Sequence, residues 1–227
     1  ANYGRMRLEL TASGGASGGP FRLTVLSGTA GIATTNVADA TTVTTATVAD
    51  NNWHHYALTV KSASAGLTSL FYVDGNLNNE TTLGSVGINN VDGPLRANIG
   101  SIITNPSGNI YHGVTMTGAG KLSASLDEFR YWKTERNGRE IGRHWFTQVG
   151  GGTNTDPTPY VETTEDVNTK LGVYYKFNEG ITGKAVVDSV VLDYSGRLSN
   201  GAWTGYTSDS RSTESAIVQS NAAIKEF

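Results

Sequence analysis

Trp53-His54-His55-Tyr56-Ala57-Leu58-Thr59-Val60, followed by Leu70-Phe71-Tyr72-Val73-Asp74-Gly75, reads as a hairpin. Two runs rich in aromatic and β-branched residues flank a Ser/Ala/Gly connector at 62–66. Asp74-Gly75 favours the positive φ angles of a tight turn into a third strand. Side chains alternate along a strand, so Trp53 and His55 share one face while His54, Tyr56, Leu58 and Val60 share the other. The second face is the more apolar and is expected to meet the core. Adjacent His54 and His55 then point to opposite faces and cannot grip one metal ion together. These runs predict an antiparallel β protein.

Composition agrees. The 28 glycines in 227 residues, with abundant Thr, Ser and Asn and only 16% charged residues, describe short strands joined by tight turns. The length suits one large β-sandwich with an extension. A net charge of -3 leaves no electrostatic footprint for nucleic acid. The one basic cluster, Lys133, Arg136, Arg139 and Arg143, reads as the solvated face of a helix. Without cysteine there are no disulfides and no thiolate chemistry. No apolar run reaches the roughly 18 residues of a membrane-spanning helix, so membrane insertion is not expected. Ala1-Asn2-Tyr3-Gly4-Arg5 lacks the plan of a signal peptide, and a start without Met reads as a piece of something longer.

Strands are expected at 5–10, 21–26, 53–60, 70–73, 96–103, 121–132 and 171–177. A Thr/Val/Ala stretch at 37–48 reads as an edge or solvent-facing strand. Residues 134–146 form the single helical candidate, with Ile141 and Trp145 four apart on its apolar face; Trp132 and Trp145 are assigned to the core. Gly150-Gly151-Gly152 and the Pro-containing run at 154–159 break periodicity and mark a linker or wide loop over 150–170. It separates a sandwich at 1–149 from strands at 171–227.

Three chemistries can be weighed on these residues. Glycan binding needs an exposed aromatic ring beside planar polar groups, because a sugar's apolar face stacks while its hydroxyls hydrogen-bond. Tyr111 and His112 in a long loop, and Trp203 and Tyr206 near Asn200, meet that requirement by type, although each could equally serve packing. Asp193, Ser195 and Asn200 offer hard oxygen donors suited to calcium, or else merely close a turn through side-chain to backbone hydrogen bonds. Zinc lacks a ligand set, since His112 and His144 stand alone. Glycoside hydrolysis would need two carboxylates about 5 Å apart across one cleft. Asp127 and Glu128 are consecutive and face opposite sides, and Glu162, Glu165 and Asp166 fall in the polar linker.

Trp53-His54-His55, Tyr72-Val73-Asp74-Gly75, Asp127-Glu128-Phe129-Arg130, Phe177-Asn178-Glu179-Gly180 and Asp193-Tyr194-Ser195-Gly196 together resemble phrases of the laminin G-like jelly roll in the concanavalin A-like superfamily. The resemblance implies an all-β antiparallel jelly-roll sandwich with one short helix. It also implies binding rather than catalysis, with surface glycan as the ligand. The order differs from the family's: the last two phrases belong at a domain's beginning, yet here they follow its closing strand. Residues 171–206 therefore either complete the same sandwich, as in a circular permutation, or begin a second copy. The family's calcium site near the opening turn and the closing Asp-Glu strand would, in the permuted reading, bring Asp127 and Asp193 together with Asn200. The wording of 174–180 and of Ser215-Ala216-Ile217-Val218 is similar to structural proteins of marine tailed phages. That similarity implies a virion or extracellular location and other virion or cell-surface subunits as partners.

Overall fold

Strands β1 (Gly4–Leu10), β2 (Phe21–Ser27) and β3 (Ala30–Asn36) open the chain as an antiparallel sheet in the order β1-β2-β3. The computed structural model describes residues 4–11, 19–27, 30–63, 66–84, 96–101, 122–149, 170–207 and 210. In β2 the alternate residues Phe21, Leu23 and Val25 face one side and are buried, while Arg22 and Thr24 face the other and are buried as well. The central strand is thus covered on an apolar face and on a polar one.

The Thr-rich stretch is not the strand that its β-branched residues suggest. Residues 37–44 turn, and α1 (Thr45–Val48) is a single helical turn. Local side-chain bonds win over the ladder here. Asp39 Oδ1 accepts from Thr41 N and Thr41 Oγ1, and Thr44 and Thr47 form a reciprocal capping box. Strand-borne amides hold the turn in place. Asp39 N donates to Asn78 Oδ1, and Asn79 Nδ2 donates to Val37 O. The strand that does pair with β2, β3, carries Gly31 and three threonine or asparagine residues and gave no strong strand signal.

The hairpin forms, but its strands are shifted from the reading. Trp53, His54 and His55 precede the first strand, and Ser62, Ala63 and Gly66 of the expected connector lie within strands. β4 (Tyr56–Ala63) and β5 (Gly66–Val73) pair antiparallel from Tyr56↔Val73 to Ala63↔Gly66. Asp74 (φ 48) and Gly75 (φ 77) then turn the chain into β6 (Asn76–Thr82), the third strand of that sheet. Tyr56, Leu58 and Val60, the face expected to meet the core, pack against a buried cluster that includes Leu23, Val37, Leu67 and Phe71. The ring of Phe21 lies 4.7 Å from that of Tyr56 and 4.8 Å from that of Phe71. By contacts the chain divides into two units, Ala1–Val73 with Leu77–Ala124, and Asp74–Asn76 with Ser125–Phe227.

In the second unit β7 (Phe129–Trp132) pairs antiparallel with β8 (Leu171–Tyr175), in the register Phe129↔Tyr175 and Arg130↔Tyr174. The expected strand at 121–132 is shorter because Glu128 takes a left-handed backbone, φ 55, just before it. Helix α2 (Gly138–His144) starts where Asn137 caps Glu140 N and Glu140 reaches back to Asn137 N. Arg136 is not on a solvated face. It is buried, lies over the Trp132 ring at 4.3 Å, and pairs with Glu140 at 2.9 Å. Trp132 packs against the small core of Val149, Leu171 and Tyr174. One further helical turn, α3 (Ala185–Asp188), precedes the short pair β9 (Val190–Val191) and β10 (Gly201–Ala202). The described residues therefore hold antiparallel sheets with three short helical segments, where one helix was expected.

Gly75 clusters with the second unit, and a Cβ at this position would overlap the indole of Trp145. Its φ of +77 also disfavours any side chain. Gly75→Ala is expected to cost about 2 kcal/mol, combining left-handed strain with overpacking. A chemical denaturation midpoint equal to that of the parent protein would contradict this.

Candidate functional site

The Asp193-Tyr194-Ser195-Gly196 phrase builds a closed hydrogen-bonded turn. Asp193 is buried, and Oδ1 accepts from Tyr174 N and Ser195 N at 3.0 and 2.9 Å. Oδ2 accepts from Ser195 Oγ and Ser199 N, both at 2.9 Å. Asp193 N donates to Asn200 Oδ1 at 2.9 Å, and Arg197 Nε to Leu171 O at 2.8 Å. Burial pushes the Asp193 carboxyl upward, but bonds from Ser195 N, Tyr174 N, Ser195 Oγ and Ser199 N outweigh it and hold the group below the usual carboxylate range. The structure thus brings Asp193 and Asn200 together, and places them beside β8 through Tyr194 N donating to Tyr174 O. Asp127 bends back on its own neighbour, Oδ1 accepting from Glu128 N at 3.0 Å. Both carboxylate oxygens of Asp193 already accept two donors each, which leaves this side chain without a free lone pair for a calcium ion as arranged. Among the described residues, no group of three or more His, Asp or Glu side chains is placed to hold a metal.

Past this turn runs a row of rings. Phe129 and Tyr175 stack across β7 and β8 with centroids 6.1 Å apart, Tyr175 and Phe177 lie 6.0 Å apart, Phe177 meets Trp203 edge-on at 6.4 Å, and Trp203 meets Tyr206 edge-on at 6.5 Å. These separations fall in the range of interacting aromatic pairs. Trp203 is 37% exposed and Tyr206 partly buried, its Oη enclosed without a hydrogen-bond partner. Phe177 holds φ 54, a backbone region that a bulky aromatic seldom occupies. Tyr175 Oη donates to Ser199 O at 2.6 Å, which ties the row to the Asp193 turn.

Behind the row a polar cluster fastens α2 to the sheet. Arg130 Nη1 donates to His144 O at 2.8 Å, and Nη2 to Thr147 O at 2.5 Å and to Glu128 Oε2 at 2.9 Å. The guanidinium thereby serves carbonyls at the end of the helix, where backbone acceptors lack partners within it. Tyr174 Oη donates to Glu128 Oε2 at 2.5 Å, and burial followed by this carboxylate raises the phenol well above its ordinary pKa. Gln148 Nε2 donates to Glu128 Oε1, and Lys176 Nζ to Gln148 Oε1, both at 3.1 Å.

Of the residues singled out from sequence, Trp203 and Tyr206 come together on one surface, while Tyr111 and His112 lie outside the described residues. His54 precedes β4, with Nε2 3.1 Å from Asp50 Oδ2. The Asp50 carboxyl is held down at about 2, first by the Asn52 side chain and then by its backbone. Tyr175 and Phe177 were missed as surface aromatics. Their signal, two rings at i and i+2 of the strand expected at 171–177, was present, but Phe177 lies beyond the end of β8 and what the two rings lean on depends on the fold.

Residues 3–142 match a laminin G family model described as the concanavalin A-like lectin/glucanases superfamily. Neither a curated protein nor a solved structure matches the chain.

Proposed function

We propose that this chain, which belongs to the concanavalin A-like lectin/glucanases superfamily, is a non-enzymatic carbohydrate-binding or adhesion module of a larger virion or extracellular surface protein. The observation that carries the reading is the continuous row Tyr175, Phe177, Trp203 and Tyr206, which includes a partly exposed indole, Trp203. A pyranose ring stacks its C–H face on such a surface, and amides at the rim take its hydroxyls. Asn178 and Asn200 are exposed on the same unit. The left-handed backbone of Phe177 supports the reading, since strain of this kind tends to collect at ligand clamps. The nearby carboxylates are engaged structurally: Glu128 by Arg130, Tyr174 and Gln148, and Asp193 by its turn. The proposal therefore gives neither a catalytic role.

Trp203→Ala is expected to weaken binding of an array-identified glycan about tenfold, roughly 1.4 kcal/mol, with little change in thermal midpoint. Undiminished affinity in this variant, or an array with no hit, sinks the aromatic-platform reading. A second reading, a structural module packed between subunits of a particle, is favoured by the exposure of Ile181, Val186 (85%) and Leu198 (83%) on the same unit. Sedimentation showing a fixed oligomer, together with a silent array, would put it ahead.

A further inference from the structure

We propose that the chain forms a two-fold homodimer through the outer edge of β1, two copies pairing antiparallel about Leu8 so that their β1-β2-β3 sheets join into one. Among the described residues β1 is an end strand of its sheet, and no strand pairs with its other side. The backbone phase follows from bonds at the strand's end. Thr11 N donates to Pro20 O at 2.8 Å, the next position in register after Leu10↔Phe21. Phe21 O instead accepts from Val37 N, just past β3. Ladder bonds alternate along an antiparallel strand, and the β1 to β2 register runs unshifted, so Arg5, Arg7 and Glu9 turn their N–H and C=O groups to β2. Those of Met6, Leu8 and Leu10 point outward. The side chains of these three lie opposite Val25, Leu23 and Phe21, which are buried, yet are themselves 56%, 44% and 38% exposed. The apolar face of the sheet thus continues past its core onto an uncovered strip.

An open edge admits many strands, and the order of residues selects this one. Met6-Arg7-Leu8-Glu9-Leu10 is a palindrome with its charge reversed. A two-fold axis at Leu8 sets Met6 against Leu10 of the second copy, Leu8 against Leu8, and Arg7 against Glu9. Met6, Leu8 and Leu10 then exchange the backbone bonds. Arg7 and Glu9 occupy the non-hydrogen-bonded pairs, where facing side chains come closest. Within one strand Arg7 Nε already lies 2.7 Å from Glu9 Oε2, so the axis joins two such pairs into one network of alternating charge. Centring the pairing on Arg7 or on Glu9 instead sets like charges directly opposite each other, which is destabilising. Charges on an edge strand ordinarily discourage pairing. Here their order rejects the neighbouring registers and accepts a second copy. The surface belongs to the first unit and the aromatic row to the second, so the dimer and the glycan reading stand or fall separately.

Sedimentation equilibrium of the whole chain tests this, with a species at twice the 24.0 kDa of one chain expected at micromolar concentration. Arg7→Glu and Glu9→Arg each place like charges across the axis, and each is expected to be monomeric alone. Mixed, the two variants complement each other across the axis although neither regains its internal ion pair, and the mixture is expected to dimerise. A parent chain that stays monomeric, or a mixture that does, overturns the proposal. A dimer that survives in both single variants also overturns it, in favour of another surface. Should a charge variant fail to fold, cross-linking decides. The sequence has no cysteine and Leu8 is exposed, so Leu8→Cys is expected to form a disulfide with its own copy under mild oxidation. Met6→Cys, which faces Leu10, is expected not to. Equal behaviour of the two cysteine variants overturns the pairing about Leu8.

Discussion

Asp193→Ala is expected to lower the unfolding free energy by about 3–5 kcal/mol, a loss set by unsatisfied donors rather than by volume. The substitution strips the acceptor from Tyr174 N, Ser195 N, Ser199 N and Ser195 Oγ together. Tyr174 and Ser195 are buried, so water does not replace the lost carboxylate at those two amides without rearrangement. Asp193→Asn should fall between the parent and the alanine variant, because its remaining oxygen can still accept from one pair of donors. Equilibrium denaturation of all three proteins measures the order, and an alanine variant within 1 kcal/mol of the parent, roughly the net worth of a single hydrogen bond, would refute the account.

The same carboxylate gives a pH signature. Its pKa is lowered in the folded protein, so its contribution is fully present above the unfolded value of about 3.9 and is lost as pH falls through the folded one. The stability difference between parent and Asp193→Asn should therefore be constant at neutral pH and shrink in acid below about pH 4. Because the turn's oxygens are already engaged, the thermal midpoint should be the same in calcium and in chelator. A native-state ion would raise it by mass action, and a calcium-dependent rise would restore Asp127, Asp193 and Asn200 as ion ligands.

Arg130→Met should cost a similar amount, about 3–5 kcal/mol, the usual result of removing one partner of a buried ion pair. The pair is well enclosed, with side chains 10% and 11% exposed for Arg130 and Glu128. The variant leaves Glu128 facing the Tyr174 hydroxyl without its cation, and it releases His144 O and Thr147 O. Adding Glu128→Gln should recover part of the loss, because the uncompensated charge is then gone. A double-mutant cycle reads this directly. If Arg130→Met alone proves as stable as the parent, α2 is not held by this guanidinium.

Local signals were the legible part of the fold. The hairpin needed only alternation and an Asp-Gly pair, and it formed with β4 and β5 in full register. The Asn137 capping box lay in the sequence as Asn-x-x-Glu, yet the expected helix ran too long because amphipathic spacing does not mark where a helix begins. The Thr-rich stretch misled because β-branching favours strands while the same residues' hydroxyls, helped by Asp39, favour turns. Asn78 and Asn79, distant in sequence, tipped that balance.

The sequence by itself determined the antiparallel class, the Asp74-Gly75 turn, the Asp193 turn, and Trp203 with Tyr206 as aromatic candidates. Each rests on residues within a few positions of one another, where backbone sterics and local hydrogen bonds decide. Tertiary structure alone decided that Phe129, Tyr175 and Phe177 extend those two rings into a row, that Arg130 spans Glu128 and the end of α2, and that β1 ends its sheet with Met6, Leu8 and Leu10 exposed. These arrangements depend on strand register, and a one-residue slip would send every side chain of a strand to the opposite face.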